Sequence, residues 1–311
     1  LDDKTPLEAA ETPNLDFFAN RGEMGYMYTV KQGSIPDTDD AIVSIFGNDI
    51  AMSTRGQLEA IGAEIEMKRG DLAFRTNFAT IDSLKNGNII DRRAGRTLTT
   101  KEAQLLAKDI NKISLSKKFV FQPTIQHRGV LVFRGGFSDD IIGNDLVRSR
   151  QNARGLFAKA VEDDENSQYT INVVNEFLEK AYEVLKNHDV NKKRIVKGLM
   201  PANFLLIRGP GIEPPKLRFY RRWVSAAYVP VIRGFAKVSG MKVVSFKYPK
   251  LKKLDVYETL YKGLKKACKV AIKTIKRNYK KFDYAFIHIK EIDVPGHDNK
   301  PIEKKTMIEL L

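Results

Sequence analysis

The 311-residue sequence predicts an α/β protein: a doubly wound, mostly parallel sheet with a smaller α+β domain inserted into it. Two observations lead to this class. The C-terminal half alternates apolar, strand-like runs with amphipathic helical runs, which is the order of a parallel sheet. Residues 55–150 instead mix short strands and helices, and Asn86-Gly87 marks a tight hairpin between two of the strands. We therefore predict a larger domain from 1–52 with 165–311, and an insert from 53–164.

The apolar periodicity then places each element of the insert and of the region before it. A helix is predicted at 13–21, with Thr12 as its N-cap, and a strand-like segment at 25–30 is followed by a turn-rich loop. The insert is predicted to contain helices at 55–66 and 99–113, the second with a capping box at Thr100, and strands at 73–81, 88–91, 119–122 and 129–134.

In the larger domain, a polar crossover at 163–168 leads to a sequence of alternating elements. Helices are predicted at 171–188, 225–239 and 255–281, and strands at 204–208, 242–246 and 283–290. The longest helix has apolar residues at helical spacing, which predicts a face packed against the core. These residues are Leu260, Leu264, Cys268, Ala271, Ile275, Tyr279 and Phe282.

Composition excludes several classes of protein. No apolar run approaches the length of a membrane span, so we expect no membrane partner. The single cysteine, Cys268, excludes an internal disulfide framework and favours a reducing, cytoplasmic location. Only four histidines are present, which excludes a zinc site built from many of them. The chain begins at Leu1 rather than Met, so we keep as an alternative that the natural chain begins upstream with a targeting segment.

The net charge of +15 is concentrated in one region. Residues 242–281 carry 14 basic and 2 acidic side chains, whereas residues 1–70 carry 6 basic and 13 acidic ones. One interpretation is a basic helix face that contacts RNA or an acidic protein; the other is an ordinary solvated, lysine-rich surface. The candidate nucleic-acid contacts are Lys262, Lys265, Lys266, Lys269, Lys273, Lys276, Arg277, Lys280 and Lys281.

Asp293 and His297 directly follow the predicted strand at 283–290. Ligands of open α/β sheets bind beyond the carboxyl ends of the strands, which is where these two side chains are expected. A carboxylate and a neutral imidazole at this spacing can share one divalent cation. The alternative is a loop aspartate and a loop histidine that never meet.

Several segments, in order from Thr5 to Asp298, resemble one family. They are TPLEAAETPNLDFFANRGEMGYMYTVKQGSIPDTDDAIVSIFGND, RGQLEAIGAEIEMKRGDLAFRTNFATID, IIDRRAGR, HRGVLVFRG, PANFLLIRGPG and FIHIKEIDVPGHD. They are similar to the archaeal-type cofactor-independent phosphoglycerate mutases of the alkaline-phosphatase superfamily. The resemblance implies a metal-binding, phosphatase-like α/β domain with a smaller inserted substrate domain.

The resemblance also implies a glycolytic reaction, in which a phosphoryl group moves between the 3- and 2-hydroxyls of glycerate through a phosphoserine. Two divalent cations, Mn²⁺ or Zn²⁺, assist it. Thr38 matches the position of the nucleophile, and Asp293 and His297 match two metal ligands. The positions that match substrate-binding segments, each of which also fits a structural salt bridge, are Arg75, Arg92, Arg93, Arg96, His127, Arg128 and Arg208.

The sequence departs from the family in its nucleophile loop and before its longest helix. The loop reads P-D-T-D-D-A-I-V where the family has P-G-S-D-T-A-H-L, so Asp37 and Asp40 add negative charge and Ile42 replaces a histidine. The glycines of a G-A-T-G motif are replaced by the lysine-rich stretch 250–253, and only Asp255 remains of the D-T-D-Y that follows. The family's S-D-T-D-P reads I-G-N-D-L at 142–146.

The family's terminal D-G-x-G-D, G-D-H and H-S-G-D-P motifs, which carry further metal ligands, have no counterpart in this sequence. Our first expectation is therefore a catalytically impaired relative without a metal cofactor, which binds a phosphorylated small molecule, RNA or an acidic protein. The alternative is an active mutase, seen as a trimmed chain, that uses Thr38 and Mn²⁺ or Zn²⁺. A metal-dependent phosphatase or phosphodiesterase using Thr38 is a third candidate.

Overall fold

The computed structural model describes residues 1–145, 156–249 and 256–311. Its α-helices within these ranges are α1 Pro13–Ala19, α2 Thr38–Ile45, α3 Arg55–Gly62, α4 Thr100–Ile110, α5 Glu165–Lys186, α6 Asp189–Val196, α7 Pro230–Val238, α8 Val256–Asn278, α9 Asp293–His297 and α10 Pro301–Glu309. The strands are β1 Leu72–Ile81, β2 Ile89–Asp91, β3 Phe119–Pro123, β4 Arg128–Phe133, β5 Ile141–Ile142, β6 Lys159–Ala160, β7 Phe204–Ile212, β8 Trp223–Ala226, β9 Lys242–Val244 and β10 Tyr284–Ile287.

The larger of the two main sheets is antiparallel and is centred on β1. This strand pairs with β4 and β7 along most of its length and with β2 at its end, and β3 extends the sheet beyond β4. All ten residues of β1 are buried, as expected for a central strand. Phenylalanines of β1, β3, β4 and α5 form the core between the sheet and its helices.

The second main sheet is parallel, with the strand order β10–β8–β9. Helix α7 connects β8 to β9 and α8 precedes β10, so the alternation predicted for the C-terminal half is present. The structure is therefore a mixed α/β protein in which one of the two main sheets is parallel.

The predicted strand at 204–208 exists, but its assignment to the parallel sheet is wrong. It forms β7, continues to Ile212 and pairs antiparallel with β1, where Thr76 lies opposite Ile207. A short apolar run such as FLLI fits a central strand of either sheet, so its periodicity does not identify the partner. Helix α5 and β7 share one core with β1. The predicted domain limits at 52/53 and 164/165 stay predictions.

Two further expectations in the parallel sheet are wrong. The helix predicted at 225–239 exists as α7, but its predicted start is wrong, since α7 begins at Pro230 and the strand β8 extends to Ala226. Proline is favoured in the first helical turn and marks this start. The strand at 283–290 was expected to be buried, but β10 lies at the sheet edge and Tyr284 and Ala285 are exposed.

Smaller differences concern helix ends and loops. The segment 25–30 is not a strand, and the predicted loop after it contains α2. The capping box of α4 is formed by Thr99 and Glu102, one residue before the predicted position, with Glu102 N–H donating to Thr99 Oγ1. On α8, Leu260 and Leu264 are buried as predicted, whereas Ile275 and Tyr279 are exposed. Across the described ranges, no helix is long and apolar enough to cross a membrane.

Helices α3 and α7 cross at two glycines. A Cβ on Gly62 would lie 1.8 Å from the carbonyl oxygen of Pro230, and one on Gly234 would lie 1.9 Å from that of Leu58. We expect Gly62→Ala to lower the free energy of unfolding by about 1–3 kcal/mol, because backbone on both sides resists the extra methyl group. Urea denaturation measures this, with Gly25→Ala as the control, since no atom lies within 4 Å of that Cβ. Equal midpoints for the two variants would contradict the prediction.

Candidate active site

A cavity of about 240 Å³ lies between the antiparallel sheet and the ends of the parallel strands. Among its lining residues are all those that the sequence analysis assigned to catalysis, substrate or metal. They are Thr38, Arg75, Arg92, Arg93, Arg96, His127, Arg128, Arg208, Asp293 and His297. These residues are far apart in the sequence, and the fold brings them to one place. Their individual roles stay predictions.

Strand pairing puts several cations of the cavity side by side. Arg75 of β1 lies directly opposite Arg208 of β7, and Asn77 of β1 lies opposite Arg128 of β4. Like charges directly opposite each other in a sheet are destabilising. The sheet therefore presents a cluster of guanidinium groups that an anion would stabilise.

The carboxylates near the cavity neutralise this cluster only partly. Arg55 contacts both Asp39, at 3.1 Å, and Glu59, at 3.3 Å. Arg75 Nε is 3.7 Å from Glu59, so a single carboxylate serves two arginines. The carboxylate of Asp37, which adds negative charge beside Thr38, lies 3.6 Å from Arg208. This arginine offsets the repulsion that Asp37 would exert on an incoming phosphate.

Asp145 and Asp298 each contact an arginine of the 92–96 segment. Arg92 pairs with the buried Asp145, which also lies 3.8 Å from Arg208, and Arg96 pairs with Asp298, the residue that follows α9. Two of the three arginines therefore form an ion pair, and their role in substrate binding stays a prediction. Arg93 lines the cavity without an ion pair among the residues that the structure describes.

The pKa shifts follow from burial and from this surplus of positive charge. Burial and then Arg55 and Arg208 lower the pKa of Arg75 well below its ordinary value. Burial also lowers the pKa of Arg128, and its Nε has no hydrogen-bond partner in the described part of the chain. For Arg55, burial opposes the charged form, but Glu59, Asp39 and Asp37 outweigh it and raise the pKa. Burial therefore disfavours the charge of Arg75 and of Arg128, and a bound anion would stabilise both.

Two histidines of the cavity, His127 beside the antiparallel sheet and His288 at the end of β10, are uncharged at neutral pH. Burial, followed by the charges of Arg128 and Arg75, lowers the pKa of His127 well below its ordinary value. Burial and then Lys290 lower the pKa of His288 to about 4. At neutral pH both imidazoles are therefore uncharged hydrogen-bonding groups at the cavity.

The low pKa of His288 predicts a loss of stability in acid. Between about pH 6.5 and 4 the unfolded chain binds more protons at this residue than the folded chain does, so stability falls as pH falls through that window. We expect His288→Gln to reduce the loss between pH 7 and 4 by roughly 1–3 kcal/mol. Urea denaturation at the two pH values measures it. The same pH dependence in both proteins would contradict the prediction.

Asp293 and His297 do meet, at the two ends of the short helix α9. His297 Nε2 lies 3.2 Å from Asp293 Oδ2, so the alternative of two side chains that never meet is wrong. The same carboxylate oxygen accepts a hydrogen bond from Lys290 Nζ at 2.5 Å. Burial raises the pKa of Asp293, but Lys290 and His297 lower it by more.

A two-metal centre needs more ligands than these. No group of three or more His, Cys, Asp or Glu side chains suited to a metal ion is present in residues 1–145, 156–249 and 256–311. The donors shown are one carboxylate and one imidazole, and an ammonium group already contacts the carboxylate. The described residues therefore do not fit a two-metal site on their own.

Several cavity residues were not identified from the sequence. Arg55 and Glu59 lie on α3, and Lys290 and Glu291 lie between β10 and α9, inside the segment that carries the family resemblance. Glu291 is 1% exposed and accepts a hydrogen bond from Tyr228, whose hydroxyl in turn accepts one from the Lys290 N–H at 2.8 Å. In the sequence, Lys290 could have been identified by its position three residues before Asp293, whereas no pattern around Tyr228 indicates a site residue.

The lysine-rich stretch 250–253, Asp255 and Leu146 lie outside the described residues. The nine basic residues of α8 and the segment after it are all exposed and do not line the cavity. Lys262 contacts Glu258, and Lys266 donates to the carbonyl of Lys247. RNA binding by this face stays a prediction.

Comparison with known proteins agrees with the geometry. Residues 19–191 match the model of the family described as 2,3-bisphosphoglycerate-independent phosphoglycerate mutase. Proteins of that name from Thermococcus kodakarensis and Pyrococcus furiosus are each 38% identical to this chain, over 98% and 99% of it and over 72% and 73% of their own lengths.

Two solved structures are also similar, each with 27% sequence identity. A Pyrococcus horikoshii protein matches with a TM-score of 0.70, covering 98% of this chain and 70% of its own. The cofactor-independent phosphoglycerate mutase of Thermoplasma acidophilum matches with a TM-score of 0.51, covering 99% and 76%. This chain belongs to the 2,3-bisphosphoglycerate-independent phosphoglycerate mutase family.

Proposed function

We propose that this chain binds 3-phosphoglycerate and 2-phosphoglycerate in the arginine-lined cavity and interconverts them. One observation carries the proposal. A single cavity collects Thr38, the arginines and the Asp293–His297 pair from segments that are up to 259 positions apart in the sequence. Two of its arginines, Arg75 and Arg128, are cations whose charge burial disfavours until an anion arrives.

Arginine suits this substrate because its planar guanidinium can bind a carboxylate or a phosphate through two parallel hydrogen bonds. Phosphoglycerate carries one of each group. We assign Arg75, Arg128 and Arg208, which three neighbouring strands present side by side, to one anionic group of the substrate. Arg92, Arg93 and Arg96, on the turn after β2, are assigned to the other.

Thr38 begins α2, so the partial positive charge of the helix N-terminus favours a phosphate beside it. In the proposed reaction the Thr38 hydroxyl oxygen forms a bond to phosphorus while the ester oxygen of glycerate leaves. Thr38 releases one proton and the leaving oxygen takes up one, and we assign Asp37 as the carrier. The neighbouring hydroxyl of glycerate then attacks the phosphothreonine in the reverse sense, which restores Thr38.

The direct test is to incubate the purified chain with 3-phosphoglycerate, with and without added Mn²⁺ or Zn²⁺, and to monitor the reaction by ³¹P NMR. The proposal expects 2-phosphoglycerate to accumulate to the equilibrium ratio. Binding of 3-phosphoglycerate by calorimetry without any conversion, under all metal conditions, would rule out the catalytic part.

That outcome would establish the second candidate, a relative that binds phosphoglycerate but does not turn it over. The observation that favours it is the contact between the Lys290 ammonium and the Asp293 carboxylate. Among the described residues, the metal-ligand type that contacts this carboxylate is the His297 imidazole alone. Here the cavity would act as an anion-binding site only.

RNA or an acidic protein as partner is a separate proposal, supported by the exposure of all nine basic side chains from Lys262 to Lys281. Phosphate-backbone binding requires clustered cations and weakens with salt. Retention on RNA that does not change between low and high salt, or that survives replacement of these lysines, would rule it out.

A further inference from the structure

The turn after β2, which carries Arg92, Arg93 and Arg96, has an unusual backbone. Three consecutive residues have positive φ angles: Ala94 at 46°, Gly95 at 66° and Arg96 at 55°. Glycine adopts this conformation readily, but alanine and arginine do so only when their surroundings hold them. The turn therefore depends on the contacts that hold its backbone in place.

One support comes from within the turn. Asp91 Oδ1 accepts hydrogen bonds from the backbone N–H groups of Arg93, at 2.7 Å, and Gly95, at 2.8 Å. These bonds fix the first half of the turn and reach into the left-handed run, which begins at Ala94.

The second support is Arg194 of α6, whose side chain is 1% exposed. Its Nη2 donates to the carbonyl of Ala94, at 3.3 Å, and to Thr97 Oγ1, at 2.7 Å. Its Nη1 donates to the carbonyl of Thr97 and contacts Glu102, both at 3.3 Å. Nε donates to the carbonyl of Met200 at 2.9 Å.

Arg194 thus binds the first residue of the left-handed run, Ala94, and the residue that directly follows the run, Thr97, while Glu102 balances its charge. It does not line the cavity. Within the turn, Arg194 contacts two backbone carbonyls and one hydroxyl. Arg194 therefore acts on the cavity by fixing the direction in which the turn presents Arg92, Arg93 and Arg96. A displacement of about 1 Å in such groups is enough to weaken binding or catalysis by about 100-fold.

We propose that Arg194 is a positioning residue, which holds the 91–97 turn in the conformation that directs Arg92, Arg93 and Arg96 at the phosphoglycerate anion. This inference rests on the proposed substrate. Lysine at this position keeps the charge near Glu102 but cannot span Ala94, Thr97 and Met200 at once, since its three donors share one nitrogen. Arg194→Lys should therefore release the turn.

The test compares wild type, Arg194→Lys and Asn191→Ala by calorimetry with 3-phosphoglycerate. Asn191 is the matched control, because it is also buried on α6 but bonds Leu185 and Ala202 instead of the turn. We expect Kd to rise about 10- to 100-fold in Arg194→Lys and to stay within about twofold of wild type in Asn191→Ala, although Asn191→Ala also lowers the melting temperature.

Amide hydrogen exchange gives a readout that needs no ligand. The amides of Arg93 and Gly95 should exchange faster in Arg194→Lys than in Asn191→Ala. Normal binding by Arg194→Lys, or unchanged exchange in the turn, would overturn the inference alone. Failure of wild type to bind 3-phosphoglycerate would overturn the proposed function, and the positioning role with it.

Discussion

Thr38→Ala is expected to lower kcat for the conversion of 3-phosphoglycerate by at least about 1,000-fold, because no other group then accepts the phosphoryl group. Thr38→Ser should keep most of the activity, since serine offers the same oxygen on a less hindered carbon. The side chain sits at the first position of α2, where loss of its hydroxyl leaves the helical hydrogen bonds in place. Kinetics of the three proteins by ³¹P NMR measure the effect.

Calorimetry with 3-phosphoglycerate is the control for this variant. Its Kd should change by less than about threefold in Thr38→Ala, since the arginines supply most of the binding energy. Turnover by Thr38→Ala at the rate of wild type would show that Thr38 is not the acceptor.

Arg128→Met is expected to weaken 3-phosphoglycerate binding by about 100- to 1,000-fold, or about 3–4 kcal/mol, because a buried, charge-assisted pair is lost. Without ligand the same variant should unfold at the same temperature as wild type or a higher one. Burial disfavours the Arg128 charge, and its Nε has no partner to lose among the described residues. Calorimetry and thermal denaturation measure the two effects.

Lys276→Met is the matched control, because it removes one cation from the exposed side of α8, away from the cavity. It should leave Kd unchanged at moderate salt, since exposed charges are screened. A large stability loss in ligand-free Arg128→Met, with unchanged binding, would make Arg128 a structural residue.

Long elements with a clear pattern could be predicted from the sequence. Strand β1 and the strand after its hairpin were placed to within one residue, and β1 has many residues that repeat the same period. Helix α5 was identified, but it begins at Glu165, six residues before the predicted start and inside the predicted crossover at 163–168. Strand β8 was missed because its four residues lie in an apolar run continuous with α7. The partner of β7 could not be predicted, because pairing between strands 123 residues apart depends on the whole fold.

The candidate site shows the same limit. Resemblance to family segments selected ten residues that line one cavity. It could not show that Lys290 contacts Asp293, or that Glu59 is shared by Arg55 and Arg75. Such contacts are set by the relative position of α3, β1 and the end of β10, and no local pattern encodes them.

The opposition of Arg75 and Arg208 on adjacent strands has a practical consequence for handling the protein. With the anion site proposed above, a small polyanion is expected to bind the folded chain and not the unfolded one, and so to raise the melting temperature with its concentration. Sulfate and phosphate buffers would thereby hide the effects of cavity variants. Melting curves recorded in chloride, with phosphate added stepwise, would measure how far repulsion between the two arginines lowers the melting temperature.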